Sequence, residues 1–125
     1  MLGQGSFGQV FKAYDHKKKE HVALKIIKNT PKFNAQAKVE IKILENTLMH
    51  DHKNKSNIVR MKHAFVFRGH ACLTFELLHI NLYEFLKITG FNGMSTDLIR
   101  RIAIQILQGL QFLHKFDIIH CDLKP

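Results

Sequence analysis

The first ten residues hold the feature that most restricts the fold. "GQGSFGQV", Gly3 to Val10, follows the pattern G-x-G-x-x-G-x-V. A dinucleotide-binding version of such a loop requires a helix to begin at the last glycine. Here the following residues, "GQVFKAYD", are β-rich, and a polar turn, "HKKKE", leads into a second β-rich run, "HVALKIIK". The loop is therefore expected at the bend of an antiparallel sheet. Alone it fits a plain tight hairpin. In this context it also fits a flap whose backbone approaches phosphate oxygens, because glycines at 3, 5 and 8 put no Cβ in the way.

The pattern continues as strands around one helix. In the second run Val22, Leu24 and Ile26 share one face, and Ala23, Lys25 and Ile27 share the other. A helix is expected from about Asn34 to His50, with Val39, Ile43, Leu44 and Leu48 at helical spacing and Pro31 suiting a loop or a helix start. "HDHKNKSN" reads as a loop. "IVRMKHAFVF" and "HACLTFELL" read as two more strands joined by the turn "RGH". The second half reads as helices: "NLYEFLKI", then a stripe of Ile99, Ile102, Ala103, Ile106, Leu107, Leu110 and Leu113, with Ser95 or Thr96 as cap. The order β-β-α-β-β, α-α makes an α+β fold.

Composition narrows the class of molecule. At 46% hydrophobic and 23% charged, the 125 residues can form a packed core. Two cysteines, Cys72 and Cys121, build no disulfide framework and no metal spacing. No run is long enough to span a membrane and the glycine-rich start is unlike a signal peptide, so cytosol or nucleus is expected. The net charge of +9 raises nucleic acid as a partner, but the basic residues are dispersed, as in Lys17-Lys18-Lys19 and Lys53/Lys55. No nucleic-acid partner and no membrane are expected; acidic or phosphorylated ligands suit the charge better.

Two further motifs carry chemistry. In "VALK", a small Ala23 leaves room for a flat ring and Lys25 offers a cation to phosphates. Lys25 sits among Leu24, Ile26 and Ile27, so its stem is expected to be buried and its charge to need a partner. Glu40, fifteen residues on, is the candidate, although Lys38 and Lys42 beside it would also suit a solvated helix face. At the end of the chain, "IIHCDLKP" places Asp122 two residues before Lys124 behind two isoleucines expected to anchor the loop. A carboxylate that orients a hydroxyl and a cation that neutralises a phosphoryl group are what phosphoryl transfer needs.

With the three motifs in this order, the sequence resembles the eukaryotic protein kinase fold. More narrowly it is similar to the dual-specificity tyrosine-regulated (DYRK) kinases of the CMGC group. The residues that carry this are "GQGSFGQVFKAYDHK", "HVALKIIKN", "FRGHACLTFELL", "NLYEFLK", "FNG" and "IIHCDLKP". Cys121 stands where most kinases have Arg, and "TFELL" with "NLYE" leans toward the family's cytosolic branch.

The resemblance implies specific roles. Gly3, Gly5 and Gly8 would cover the phosphates of ATP, with Leu2, Val10 and Ala23 against adenine. Lys25 would hold the α- and β-phosphates and pair with Glu40. Phe75 would close the back of the pocket, and Glu76, Leu77 and Leu78 would form the hinge that bonds adenine through its backbone. Asp122 would be the catalytic base and Lys124 the phosphate-contacting lysine. The activity implied is MgATP-dependent phosphorylation of Ser and Thr on protein substrates, with tyrosine autophosphorylation. The magnesium ligands are expected beyond Pro125, so that residues 1–77 form the small lobe with the start of the hinge, and 78–125 begin the large lobe. A chain of this extent is expected to be inactive alone, and a truncated product that binds nucleotide or partner proteins without catalysis is the alternative.

Overall fold

The computed structural model describes residues 1–125. It contains β1 (Gly3–Gly5), β2 (Gly8–Asp15), β3 (Glu20–Ile27), α1 (Pro31–His50), β4 (Met61–Phe67), β5 (His70–Glu76), α2 (Leu82–Ile88) and α3 (Thr96–His114). The strands form one antiparallel sheet in the order β1-β2-β3-β5-β4. The chain forms two compact units, Met1–His52 with Val59–Leu78, and Lys53–Ile58 with His79–Pro125. No helix is long and apolar enough to cross a membrane.

Turn chemistry sets the register in the first unit. Asp15 Oδ1 accepts the backbone N–H groups of Lys17 and Lys18 at 2.9 and 3.0 Å, which closes the β2–β3 turn. Both strands then pair over their full length, from Gly8 opposite Ile27 to Asp15 opposite Glu20. Arg68 and Gly69 both have left-handed backbones, φ 49° and 79°, as a two-residue hairpin between β4 and β5 requires. Lys62 on β4 pairs with Glu20 on β3.

Helix α1 begins earlier than the sequence suggests. Thr30 caps it, with Oγ1 facing the Phe33 N–H at 3.4 Å. Pro31 takes the first helical position, where its missing N–H costs nothing. The core is Ile27, Ala37, Met61 and Leu73, against which Phe33, Ile41, Leu44, Leu48, Ala71 and Phe75 pack. The apolar residues of α1 that meet this core are thus 33, 37, 41, 44 and 48, and Thr47 is buried beside them. Leu44 and Leu48 are on the expected stripe. Val39 and Ile43 are not: they are 59% and 38% exposed.

Strand β4 starts at Met61 rather than Ile58, because residues 53–58 pack with the second unit. There Asn57 donates from Nδ2 to Gln108 Oε1 at 3.0 Å, on α3. Ser95 caps α3, facing the Leu98 N–H at 3.3 Å, and Asn81 caps α2 through the Glu84 N–H at 2.7 Å. On α3 only Gly109 and Leu113 are buried. Much of the apolar stripe read from the sequence, including Ile99, Ile106 and Leu107, is exposed.

Candidate active site

The glycine-rich stretch is the β1–β2 hairpin, with Gly3 opposite Val10 and Gly5 opposite Gly8. Leu2 extends the pairing, its N–H donating to the Val10 carbonyl at 2.7 Å. The three glycines have different reasons to be glycine. At Gly8, with φ of 153°, an added Cβ would lie 2.0 Å from the Ile26 carbonyl oxygen, so only glycine lets β2 lie this close to β3. An added Cβ at Gly3 would meet nothing within 4 Å, and at Gly5 only the Phe7 ring. Packing within the chain does not account for glycine at 3. A ligand lying against the hairpin backbone would.

Cross-strand register gathers the expected pocket residues onto one face of the sheet. Lys25 lies opposite Val10 on one side and Leu73 on the other, and Ala23 lies opposite Phe75. Directly opposed residues share a face, so Val10, Ala23, Lys25 and Phe75 are all on the side that α1 packs against. Phe75 is half-buried and rests on the core cluster. Leu2 is exposed at the edge of this group.

The ion pair expected between Lys25 and Glu40 is present. Lys25 Nζ donates to Glu40 Oε1 at 2.6 Å, with the side chains 18% and 36% exposed. Glu40 comes one turn after Ala37 and one before Leu44, both inward residues, and this carries its carboxylate to β3. Lys25 has a second neighbour. Its Nζ is 4.7 Å from the centroid of the Phe7 ring. The motif reading did not single out Phe7; an aromatic residue between glycines at the tip of an otherwise polar loop was the available signal.

At the end of β5 one expected hinge contact is already engaged. The Glu76 N–H donates to the Arg60 carbonyl at 3.1 Å, and Glu76 Oε1 accepts the Arg60 N–H at 2.8 Å. Arg60 also reaches the Asp51 carbonyl through Nη1 at 2.9 Å, tying the end of α1 to the end of β5. The main-chain contact with Arg60 engages the Glu76 N–H and leaves its backbone carbonyl; of the other two expected hinge residues, Leu77 is half-buried and Leu78 exposed.

Asp122 and Lys124 lie in the second unit, on the irregular segment after α3. Ile118 is half-buried and its N–H donates to the Leu113 carbonyl at 3.1 Å. Ile119 is exposed, so only the first of the two isoleucines holds the segment. Cys121 has φ of 62°, and just after this left-handed residue the Asp122 N–H points to His120 Nδ1 at 3.2 Å. Lys124 Nζ donates to Asp122 Oδ2 at 2.9 Å. That hydrogen bond, with the ammonium charge behind it, holds the Asp122 carboxyl below its ordinary value. Both side chains are exposed. No group of three or more His, Cys, Asp or Glu is placed to hold a metal ion, so these side chains do not by themselves fit a magnesium site.

The family described as Protein kinase domain matches residues 1–125. A Drosophila melanogaster protein named as a homolog of dual specificity tyrosine-phosphorylation-regulated kinase 3 is 56% identical over all of this chain, which covers 15% of that protein. Human dual specificity tyrosine-phosphorylation-regulated kinase 3 is 50% identical over all of the chain, which covers 21% of it. Human dual specificity tyrosine-phosphorylation-regulated kinase 4 is 53% identical over 99% of the chain, which covers 24% of it. The chain thus spans a quarter or less of the length of these relatives. The chain belongs to the protein kinase family, in its dual specificity tyrosine-phosphorylation-regulated branch.

Proposed function

We propose that this chain supplies the nucleotide site and the catalytic Asp of an ATP-dependent protein kinase that phosphorylates Ser and Thr on other proteins and Tyr on itself. The observation that carries the reading is the 2.6 Å ion pair from Lys25 on β3 to Glu40 on α1, beside the glycine hairpin. Phosphoryl transfer asks little covalent chemistry of the protein. It depends on holding the phosphates and neutralising their charge. Glu40 fixes the Lys25 ammonium at one position on the sheet, and Lys25 then meets the α- and β-phosphates. Gly3 and Gly5 leave the hairpin backbone free to lie along them. Ala23 and Val10 offer an apolar surface to adenine beside Phe75, and Leu77 or Leu78 supplies the hinge hydrogen bond. ATP arrives as its magnesium complex, so the ion enters with the substrate.

Asp122 has the second role. A carboxylate held below its ordinary value is a good acceptor for a hydroxyl hydrogen bond and a weak base. It therefore orients the substrate hydroxyl, and takes the proton once the phosphorus–oxygen bond is largely made. Lys124 stabilises the charge of the transferring group. The test is transfer of labelled phosphate from ATP by the protein in its full natural length, followed by identification of the labelled residues. Label on Ser and Thr of an added protein and on Tyr of the kinase itself is expected, and Lys25→Met should lower incorporation by orders of magnitude while thermal unfolding changes little. Near-normal incorporation by a folded Lys25→Met protein would exclude the reading.

A further inference from the structure

Arg60 bonds both to the end of α1 and to the end of β5, and no role in the reaction has been given to it. We propose that Arg60 is a positioning residue for phosphoryl transfer: its guanidinium holds the C-terminal end of α1 at the axial position where Glu40 meets Lys25. This rests on the proposed function above and adds a residue to it.

Three observations converge on Arg60. The first is its root. The Arg60 carbonyl accepts the Glu76 N–H at 3.1 Å, and the Arg60 N–H donates to Glu76 Oε1 at 2.8 Å. The β4–β5 ladder begins at the next residue, with Met61 opposite Phe75, so the main chain of Arg60 is anchored to the sheet. The second is its tip. Nη1 donates to the carbonyl of Asp51, the residue that caps α1, at 2.9 Å. The last carbonyls of a helix have no partner within it and carry the negative end of its dipole, so a fixed cation is well matched there. The third is direction. The core contacts of α1 are apolar, and apolar attraction has no direction, so it fixes the axial position of a helix poorly. Directional bonds join α1 to the strand-bearing segments at two places, Lys25 to Glu40 and Arg60 to Asp51. Glu40 and Asp51 are about 16 Å apart along the helix axis. A helix moves as a rod over that length, so slippage at Asp51 displaces Glu40 from Lys25.

A plain helix cap is the other role open to this contact. It would add to folding stability and do nothing else. The two roles separate when Arg60 is changed with and without Glu40. A positioning residue acts through Glu40, so its loss matters only while Glu40 holds Lys25. A cap that only stabilises the fold lowers the active fraction by the same factor whatever stands at position 40. Arg60→Met removes the guanidinium and keeps both main-chain groups that bond to Glu76. Arg60→Lys keeps a cation and loses the planar fork, so its effect should be smaller. Loss of one hydrogen bond from a charged group corresponds to about a 10-fold change.

The experiment measures kcat/KM for phosphate transfer from ATP by the full-length protein. The variants are Arg60→Met, Arg60→Lys, Glu40→Gln, and each Arg60 variant combined with Glu40→Gln, with thermal unfolding recorded for all. Arg60→Met should lower kcat/KM about 10-fold alone and less than about 2-fold in the Glu40→Gln background, with Arg60→Lys between Arg60→Met and wild type. Equal factors in the two backgrounds, wild-type activity in a folded Arg60→Met protein, or a Lys variant as impaired as the Met variant would each overturn the proposal. Should Arg60→Met fail to fold, the same comparison of backgrounds with Arg60→Lys decides. Any of these failures with an active wild type leaves the proposed function standing; no transfer by wild type removes both. Carbon NMR gives a reading without turnover. The Glu40 carboxyl signal of the nucleotide-free protein should move in Arg60→Met, and an unmoved signal would overturn the role of Arg60.

Discussion

Asp122 keeps its charge at lower pH than an ordinary carboxylate, because Lys124 donates to Oδ2 and its positive charge favours the ionised form. The sign follows directly. As pH falls, Asp122 protonates later than an isolated Asp, and Lys124→Met should move its midpoint upward. Carbon NMR of the Asp122 carboxyl would read this; an unmoved midpoint would mean that the pair does not persist in solution. Phe75 shows a different balance. Its ring is half-buried against Leu73 and its neighbours. Phe75→Ala should cost about 2–3 kcal/mol, below the ~3–5 typical of a fully buried Phe. It should also open the pocket to bulkier adenine-site inhibitors. Unchanged inhibitor selectivity in a folded variant would place the ring away from the site. Glu76 has a contact that its motif does not announce. The sequence shows a strand ending there, but the Arg60 contact that occupies its N–H joins residues sixteen apart.

At the scale of elements, strands and turns were the most legible because their signals are local. Period-two alternation in "HVALKII", Asp15 before three lysines and Arg68-Gly69 each determine structure within a few residues. The phase of α1 was less legible. Apolar residues occur on more than one side of it, and a periodic count weights Val39 and Ile43 above Ala37. The sheet decides otherwise: the small Ala37 lies in the core cluster and is 2% exposed. Ala37→Leu should therefore lift α1 from the sheet and cost about 1–3 kcal/mol by overpacking. Val39→Ser should stay within about 0.5 kcal/mol, as exposed substitutions do. Thermal unfolding of the two variants checks the phase, and the reverse order of effects would refute it. The Lys25–Glu40 pair was legible as a pair, whereas the Phe7 contact was not, since nothing in the spacing says which way a loop side chain folds.

For the whole molecule, two features govern behaviour: an exposed apolar helix and the proposed nucleotide site in the sheet-bearing unit. Ile99, Ile106 and Leu107 on α3 are all exposed, Leu107 by 63%. Apolar side chains grouped this way favour association. The 125-residue polypeptide made on its own should self-associate with rising concentration in sedimentation experiments, and Leu107→Glu should weaken this; a wild-type polypeptide that stays monomeric would contradict it. The Lys25–Glu40 pair is partly exposed, so its direct effect on folding is small, about 0–1 kcal/mol. In the proposed reaction Glu40 acts only by positioning Lys25. The most direct measurement of this is a double-mutant cycle on phosphoryl transfer by the full-length protein, with Lys25→Met, Glu40→Gln and both together. Residues that act as a unit are strongly non-additive. Glu40→Gln should lower kcat/KM markedly in wild type and hardly at all in the Lys25→Met background. Losses that simply multiply, or full activity in Glu40→Gln alone, would contradict the account.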